Sequence, residues 1–173
     1  DVYKRQVLLS FHAGGVTASD DEFDESVTGN TADFFLEKVL ADGKASVGLT
    51  VPYIYADAVF ETETGESLDL EYGSVPFLLT AKYNLINGRF VGFLGFGIGV
   101  HSSTLKSAAG TTEEVSKKYT GMALGIPVGI GYFLAPDFYL QGSYNFRSLS
   151  GAPLGDGITH SLTLGLGFQW GSE

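Results

Sequence analysis

Bulky apolar residues recur at every second position along most of this chain, and that spacing constrains the fold more than any other feature. In residues 90–101, Phe90, Gly92, Leu94, Phe96, Ile98 and Val100 alternate with Val91, Phe93, Gly95, Gly97, Gly99 and His101. In residues 121–132, Met122, Leu124, Ile126, Val128, Ile130 and Tyr132 alternate with Gly121, Ala123, Gly125, Pro127, Gly129 and Gly131. A period of two is the strand period; on a helix, at about 3.6 residues per turn, the same residues would scatter around the axis. Each segment therefore has one bulky face and one nearly bare face.

The pattern recurs. Phe138, Leu140, Tyr144 and Phe146 oppose Gln141, Ser143, Asn145 and Arg147; Leu162, Leu164, Leu166, Phe168 and Trp170 oppose Ser161, Thr163, Gly165, Gly167 and Gln169. Val47, Leu49, Val51, Tyr53 and Tyr55 oppose Ser46, Gly48, Thr50, Pro52 and Ile54, and Val75, Phe77, Leu79 and Tyr83 oppose Ser74, Pro76, Thr80 and Lys82. Leu9 and Phe11 oppose Ser10 and His12. The segment Asp33 to Leu40 fits a strand through Phe34, Leu36 and Leu40, although Lys38 interrupts it and a short helix capped by Thr31 also fits. These segments predict eight strands near 7–17, 31–40, 45–60, 68–85, 89–103, 118–134, 138–149 and 158–170. Three connections are short and carry turn residues, at 41–44, 86–88 and 135–137. The other four, near 18–30, 61–67, 104–117 and 150–157, are longer and polar.

At 173 residues the chain is one domain. Glycine contributes 24 residues, charged residues only 17%, cysteine none, and the net charge is −10. Disulfide frameworks, thiolate metal sites and cysteine nucleophiles are excluded together. The acidic balance disfavours a nucleic-acid partner. The longest apolar stretch, Met122 to Pro136, is broken by glycines and a proline, so it is no spanning helix. Residues 1–6, Asp-Val-Tyr-Lys-Arg-Gln, resemble a translated sequencing adapter, which leaves residues 7–173 as the barrel domain and makes the missing signal peptide uninformative.

A single apolar sheet face fits two closed barrels. A soluble lipocalin-like lipid binder hides that face inside; a membrane barrel turns it to lipid and fills its lumen with small or polar residues. Three features favour the membrane barrel. The face opposite the bulky one is mostly glycine, serine, threonine, asparagine and glutamine, as a narrow eight-strand interior requires. Short connections lie at one end and long ones at the other, as in outer-membrane barrels. Tyr83, Phe90, Tyr132, Phe138, Phe168 and Trp170 gather near the short-turn end, where an interfacial aromatic girdle belongs. The expected fold is all-β: a membrane-spanning, up-and-down antiparallel β-barrel of eight strands with both termini on the periplasmic side. Lys82, Gln141, Asn145 and Arg147 then point into the lumen, with Glu37 as a candidate ionic partner.

With these features the chain resembles the small eight-stranded outer-membrane barrels of Gram-negative bacteria, the OmpA-like and OmpX-like group. Thr163, Gly165, Phe168 and Trp170 are similar to that group's C-terminal assembly signal, although Gly171, Ser172 and Glu173 follow where members commonly end on the final aromatic. The resemblance implies a bacterial outer-membrane location, assembly by the barrel assembly machinery, and contact with outer-membrane lipid and lipopolysaccharide as a monomer.

Signals for chemistry are sparse. His12 with Ser10 and His101 with Ser103 share strand faces, a nucleophile-and-base pattern without an obvious orienting acid. Outer-membrane lipid A deacylases carry a late His-x-Ser motif; the comparable region here, residues 146–150, has no histidine. The acidic run Asp20, Asp21, Glu22, Asp24 and Glu25 lacks the glycine and distal glutamate of a calcium loop and is expected to be a solvated loop, with divalent cations near lipopolysaccharide phosphates as a weaker expectation. No cofactor, metal or catalytic residue is expected. The function expected is a non-enzymatic envelope protein acting through its long loops in surface interaction, adhesion or envelope integrity. The alternatives are a narrow pore for small or hydrophobic solutes, then a lipid A-modifying enzyme.

Overall fold

The computed structural model describes residues 7–20, 23–40, 43–61, 67–109, 115–152 and 155–171. They form eight strands: β1 (Val7–Asp20), β2 (Phe23–Leu40), β3 (Ala45–Glu61), β4 (Ser67–Asn87), β5 (Phe90–Ala109), β6 (Val115–Ala135), β7 (Phe138–Ala152) and β8 (Gly155–Trp170). Each pairs antiparallel with the next, and β8 closes on β1 from Val7↔Trp170 to Ser19↔Ile158. A closed antiparallel sheet pairs its backbone groups internally, as a lipid environment demands.

The bulky face is outside. Leu79, Ile130 and Leu162 are 68%, 69% and 70% exposed, and Leu94, Phe96, Ile98 and Val100 form a continuous outward run on β5. So wide an apolar wall is stable against acyl chains, not water. The opposite parity faces inward and is buried: Ser10, His12, Thr31, Asp33, Thr50, Lys82, Asn145, Arg147 and Thr163 all lie there.

Residues 33–40 are strand, paired with β1 through Phe11↔Phe34 and with β3 through Leu36↔Leu49. Lys38 points outward in the same cross-strand row as Val7 and Trp170, at the short-turn edge. There its apolar stem covers the wall while its ammonium reaches water.

The strands are longer than the apolar alternation indicates. About 9–11 residues cross a bilayer, yet these strands run from 14 to 21 residues. The surplus lies at the end of the four longer connections. Ladders continue there through Ala18↔Val27, Asp57↔Glu71, Lys106↔Ser116 and Leu149↔Gly157. Most of the segments expected as loops are therefore hydrogen-bonded hairpins. Asp20 pairs with Phe23, and Asp21 and Glu22 lie outside the described residues. The alternation stops at the lipid boundary because a ladder in water needs only backbone groups.

At the other end the turns are tight. Gly88 adopts φ 62° in the turn between β4 and β5, a conformation that disfavours side-chain-bearing residues. Each turn is tied to a neighbouring strand: Asn84 N donates to Lys44 O at 2.8 Å, Phe133 N to Arg89 O at 2.9 Å and Gln169 N to Asp137 O at 2.9 Å. Two ladders are interrupted within the wall. β5 and β6 carry no registered pair between Leu94↔Val128 and Gly97↔Gly125, where Gly95 stands opposite Pro127, and β3 and β4 are interrupted as well. Between Thr50↔Leu78 and Ile54↔Ser74, β3 and β4 carry no registered pair, and there Pro52 stands opposite Pro76, two residues without an N–H to donate.

Candidate functional site

The lumen is filled in layers. Nearest the short turns, Phe35, Val39, Phe93 and Tyr139 are buried around an ion pair between Lys82 and Glu37. Lys82 Nζ also stands 4.5 Å from the Phe35 ring centre and 4.8 Å from that of Phe93, and Glu37 accepts a 3.0 Å bond from Ser46 Oγ. A cavity of about 50 Å³ adjoins this pair, bordered by Leu8, Glu37, Lys82, Tyr139 and Gln141.

The middle layer is a second ion pair. Arg147 donates to Asp33 Oδ2 at 2.5 Å and to Ser161 Oγ at 2.9 Å. Asp33 also accepts from Thr31 Oγ1 at 2.7 Å and from Asn145 Nδ2 at 3.4 Å. Both charged side chains are removed from solvent, at 2% and 0% exposure. A space of only about 10 Å³ lies beside Arg147 and Thr80. Above it Leu78, Ala123 and Leu149 form one buried apolar cluster, and Val16, Ile54 and Tyr72, with Leu105 against them, form another.

All four polar residues predicted for the lumen sit on its buried face. Lys82 and Arg147 are charge-paired, Asn145 bridges Asp33 and Ser143, and Gln141 borders the turn-side cavity. Gln141 Nε2, His12 Nε2 and Thr159 Oγ1 are buried without a protein partner. The partner of Arg147 is Asp33 rather than Glu37; the only sequence signal for it is its inward parity on β2.

The two histidine pairs differ. His12 Nδ1 lies 3.5 Å from Ser143 Oγ and Thr163 Oγ1, on β7 and β8, so its bonding partners come from across the barrel seam. His101 does meet Ser103, with Nδ1 2.8 Å from Oγ, and its Nε2 is 2.9 Å from the carbonyl oxygen of Ser150. That geometry orients an imidazole toward a hydroxyl. Ser103 is nevertheless fully buried, and its Oγ is engaged with Ser74 at 2.9 Å. A nucleophile must reach a substrate carbonyl, and this hydroxyl faces packed protein. Among the described residues no group of three acidic or histidine side chains has the arrangement of a metal site.

The aromatics predicted as a girdle lie on the outward face near the short turns. Phe90 and Tyr132 pack at 4.8 Å between ring centres, Phe168 and Trp170 stack at 6.0 Å, Phe138 pairs with Phe168, and Tyr83 is exposed. In the predicted assembly signal, Thr163 bonds Ser143 at 2.8 Å inside the lumen. Gly165 leaves room for His12, because an added Cβ would lie 2.3 Å from the imidazole Cδ2. The motif thus has packing reasons of its own.

Residues 3–169 match the outer membrane protein beta-barrel domain family. No curated protein matches. Among solved structures, the Neisserial surface protein A superposes with a TM-score of 0.68 at 13% identity, covering 95% of this chain and 97% of the other. Ail, the attachment invasion locus protein of Yersinia pestis, gives 0.57 at 18% identity over 96% and 99% in its complex with the heparin analogue sucrose octasulfate. OprG from Pseudomonas aeruginosa gives 0.58 at 13% identity over 97% and 96%. With the lipid-facing apolar wall and the short-turn and hairpin ends already in place, the match across nearly the whole chain makes this protein a member of the outer-membrane β-barrel family, located in the bacterial outer membrane.

Proposed function

We propose that this protein is a non-enzymatic surface-interaction barrel whose lumen is a structural plug and whose projecting hairpins meet a cationic partner. The lumen carries the first half of this reading. Two ion pairs and two apolar clusters are stacked along it, and the spaces beside the ion pairs are about 50 and 10 Å³. The charge of the hairpin end supports the second half. Residues 18–30, 56–73, 102–120 and 148–160 hold fourteen carboxylates against three lysines, a balance of −11 that exceeds the net charge of the chain. A field of that sign steers cations toward the surface and repels polyanions.

Ail was solved with a sulfated heparin analogue. The same ligand chemistry suits this hairpin end poorly. The expected partner is a basic protein segment or polyamine-like surface. Binding of vesicle-inserted protein to polylysine and to heparin tests this: capture by polylysine that weakens with salt supports the reading, and salt-sensitive capture by heparin overturns it.

The narrow-pore alternative rests on one observation, the polar atoms of Gln141 and His12 that lack protein partners inside the barrel. Single-channel recording in planar bilayers separates the two. Steps abolished by Arg147→Leu would replace the plug with a pore. Release of acyl chains from lipopolysaccharide would overturn the non-enzymatic assignment.

A further inference from the structure

The lumen does not close completely at the short-turn end. The cavity of about 50 Å³ beside Lys82 and Glu37 reaches the rim, where Asn84, Ile86 and Val91 are half-buried. Further along the lumen the space beside Arg147 is only about 10 Å³, so the cavity is a dead end approached from the periplasmic side. Most of its polar groups are engaged. Lys82 is paired with Glu37 and lies against two aromatic rings, and Glu37 also accepts from Ser46. At the rim the Asn84 side-chain amide donates to Gly43 O at 3.0 Å, and that of Gln169 donates to Pro136 O. Gln141 is the exception. Its side chain lines the cavity, the residue is only 8% exposed, and among the described residues nothing accepts from its Nε2. A buried N–H without an acceptor carries a desolvation penalty that an incoming acceptor removes.

We propose that this cavity binds a small neutral carbonyl compound of about four non-hydrogen atoms, which enters from the periplasm and places its oxygen on Gln141 Nε2. Each property follows from the lining. Size follows from the volume: one water occupies about 10–15 Å³ of such space, so 50 Å³ takes about four atoms of that size. Neutrality follows from the ion pair. Lys82 and Glu37 already compensate each other, so a ligand charge of either sign would be desolvated without a free countercharge. The acceptor follows from the Gln141 amide. A short alkyl body follows from the rest of the wall, which includes Leu8, Val39, Val91, Phe93 and Phe133. Gly131 keeps the space open on the β6 side; a Cβ there would make only ordinary contacts, the nearest at 3.6 Å to Leu140 O. The site lies at the opposite end of the barrel from the acidic hairpins and does not depend on what they bind.

The test uses the full chain folded in detergent, with the folded fraction verified by its heat-dependent gel mobility. The probes are acetamide, acetone, acetate and isopropylammonium, which share one branched shape and size and differ in charge and acceptor. The isotope-labelled Gln141 side-chain amide reports occupancy by NMR, and saturation transfer to the probe methyl protons reports it in the variants. Acetamide and acetone should shift that amide saturably at about millimolar concentration, the range open to so few contacting atoms. Acetate and isopropylammonium should bind about tenfold more weakly or worse. Gln141→Leu should weaken acetamide about tenfold. Gly131→Leu, which fills the cavity and removes no polar side chain, should abolish saturable binding. Ser103→Ala, at the far end of the lumen, should leave it unchanged. The proposal is overturned if the Gln141 shift is absent or does not saturate, as with an amide bound to water alone. It is also overturned if either ion binds as well as acetamide, or if Gln141→Leu or Gly131→Leu binds like wild type.

Discussion

Replacing Asp33 with asparagine removes one charge from the centre of the lumen and hardly changes volume. Arg147 would then keep its 2.9 Å bond to Ser161 and an amide oxygen where the carboxylate stood, but no countercharge. Breaking a buried ion pair from one side costs about 3–5 kcal/mol, because the surviving charge is uncompensated. The retained amide acceptor places Asp33→Asn at the lower end, about 3 kcal/mol. Arg147→Met should cost less, since Asp33 keeps the Thr31 hydroxyl at 2.7 Å and the Asn145 amide at 3.4 Å. The double variant should cost no more than Asp33→Asn alone, because it removes both charges together. Urea unfolding of vesicle-inserted protein measures all three, with Trp170, the single tryptophan, as the fluorescent reporter on the lipid-facing wall. If the two single costs simply added in the double variant, the charges would be independently hydrated and the plug would not be dry. That result would refute the reasoning.

Other perturbations separate the remaining parts of the structure. Glu37→Gln should cost less than Asp33→Asn, about 1–2 kcal/mol in the same assay, because two aromatic rings and the adjoining cavity still accommodate the Lys82 charge. Leu94→Arg places a cation on the outward wall and should cost about 2–4 kcal/mol; wild-type stability in lipid would reverse the assignment of inside and outside. Gly167→Ala would push a methyl to 2.0 Å from the Tyr139 ring. It should cost about 1–3 kcal/mol, and a second substitution, Tyr139→Leu, should recover part of that loss; no recovery would mean that the backbone, not the ring, limits the site.

What sequence reasoning reached is governed by parity. Which face each of Phe90 to Val100 occupies follows from counting by two, and so does the inward direction of Lys82 and Arg147. Parity does not supply height along the barrel axis. Asp33 and Arg147 are 114 positions apart, and their meeting depends on the stagger accumulated over intervening strands. Lys38 obscured β2 because a charge on an apolar face reads as an error until its position at the membrane edge is known. The hairpin extensions went unrecognised for a different reason. Above the lipid a strand has no need of an apolar face, so Asp57, Glu71 and Lys106 carry loop-like chemistry on paired backbone.

The seam between β1 and β8 has a consequence for the history of the chain rather than for its final state. Val7 to Ser19 find their second set of backbone partners only in Ile158 to Trp170, some 140 positions further along the chain. Until that segment arrives, both edges of the sheet are open, and lipid offers nothing to bond them. A chain cut short before β8 is therefore not a slightly weaker barrel. It has no stable lodging in the bilayer, and whether the protein persists or is degraded turns on its final strand.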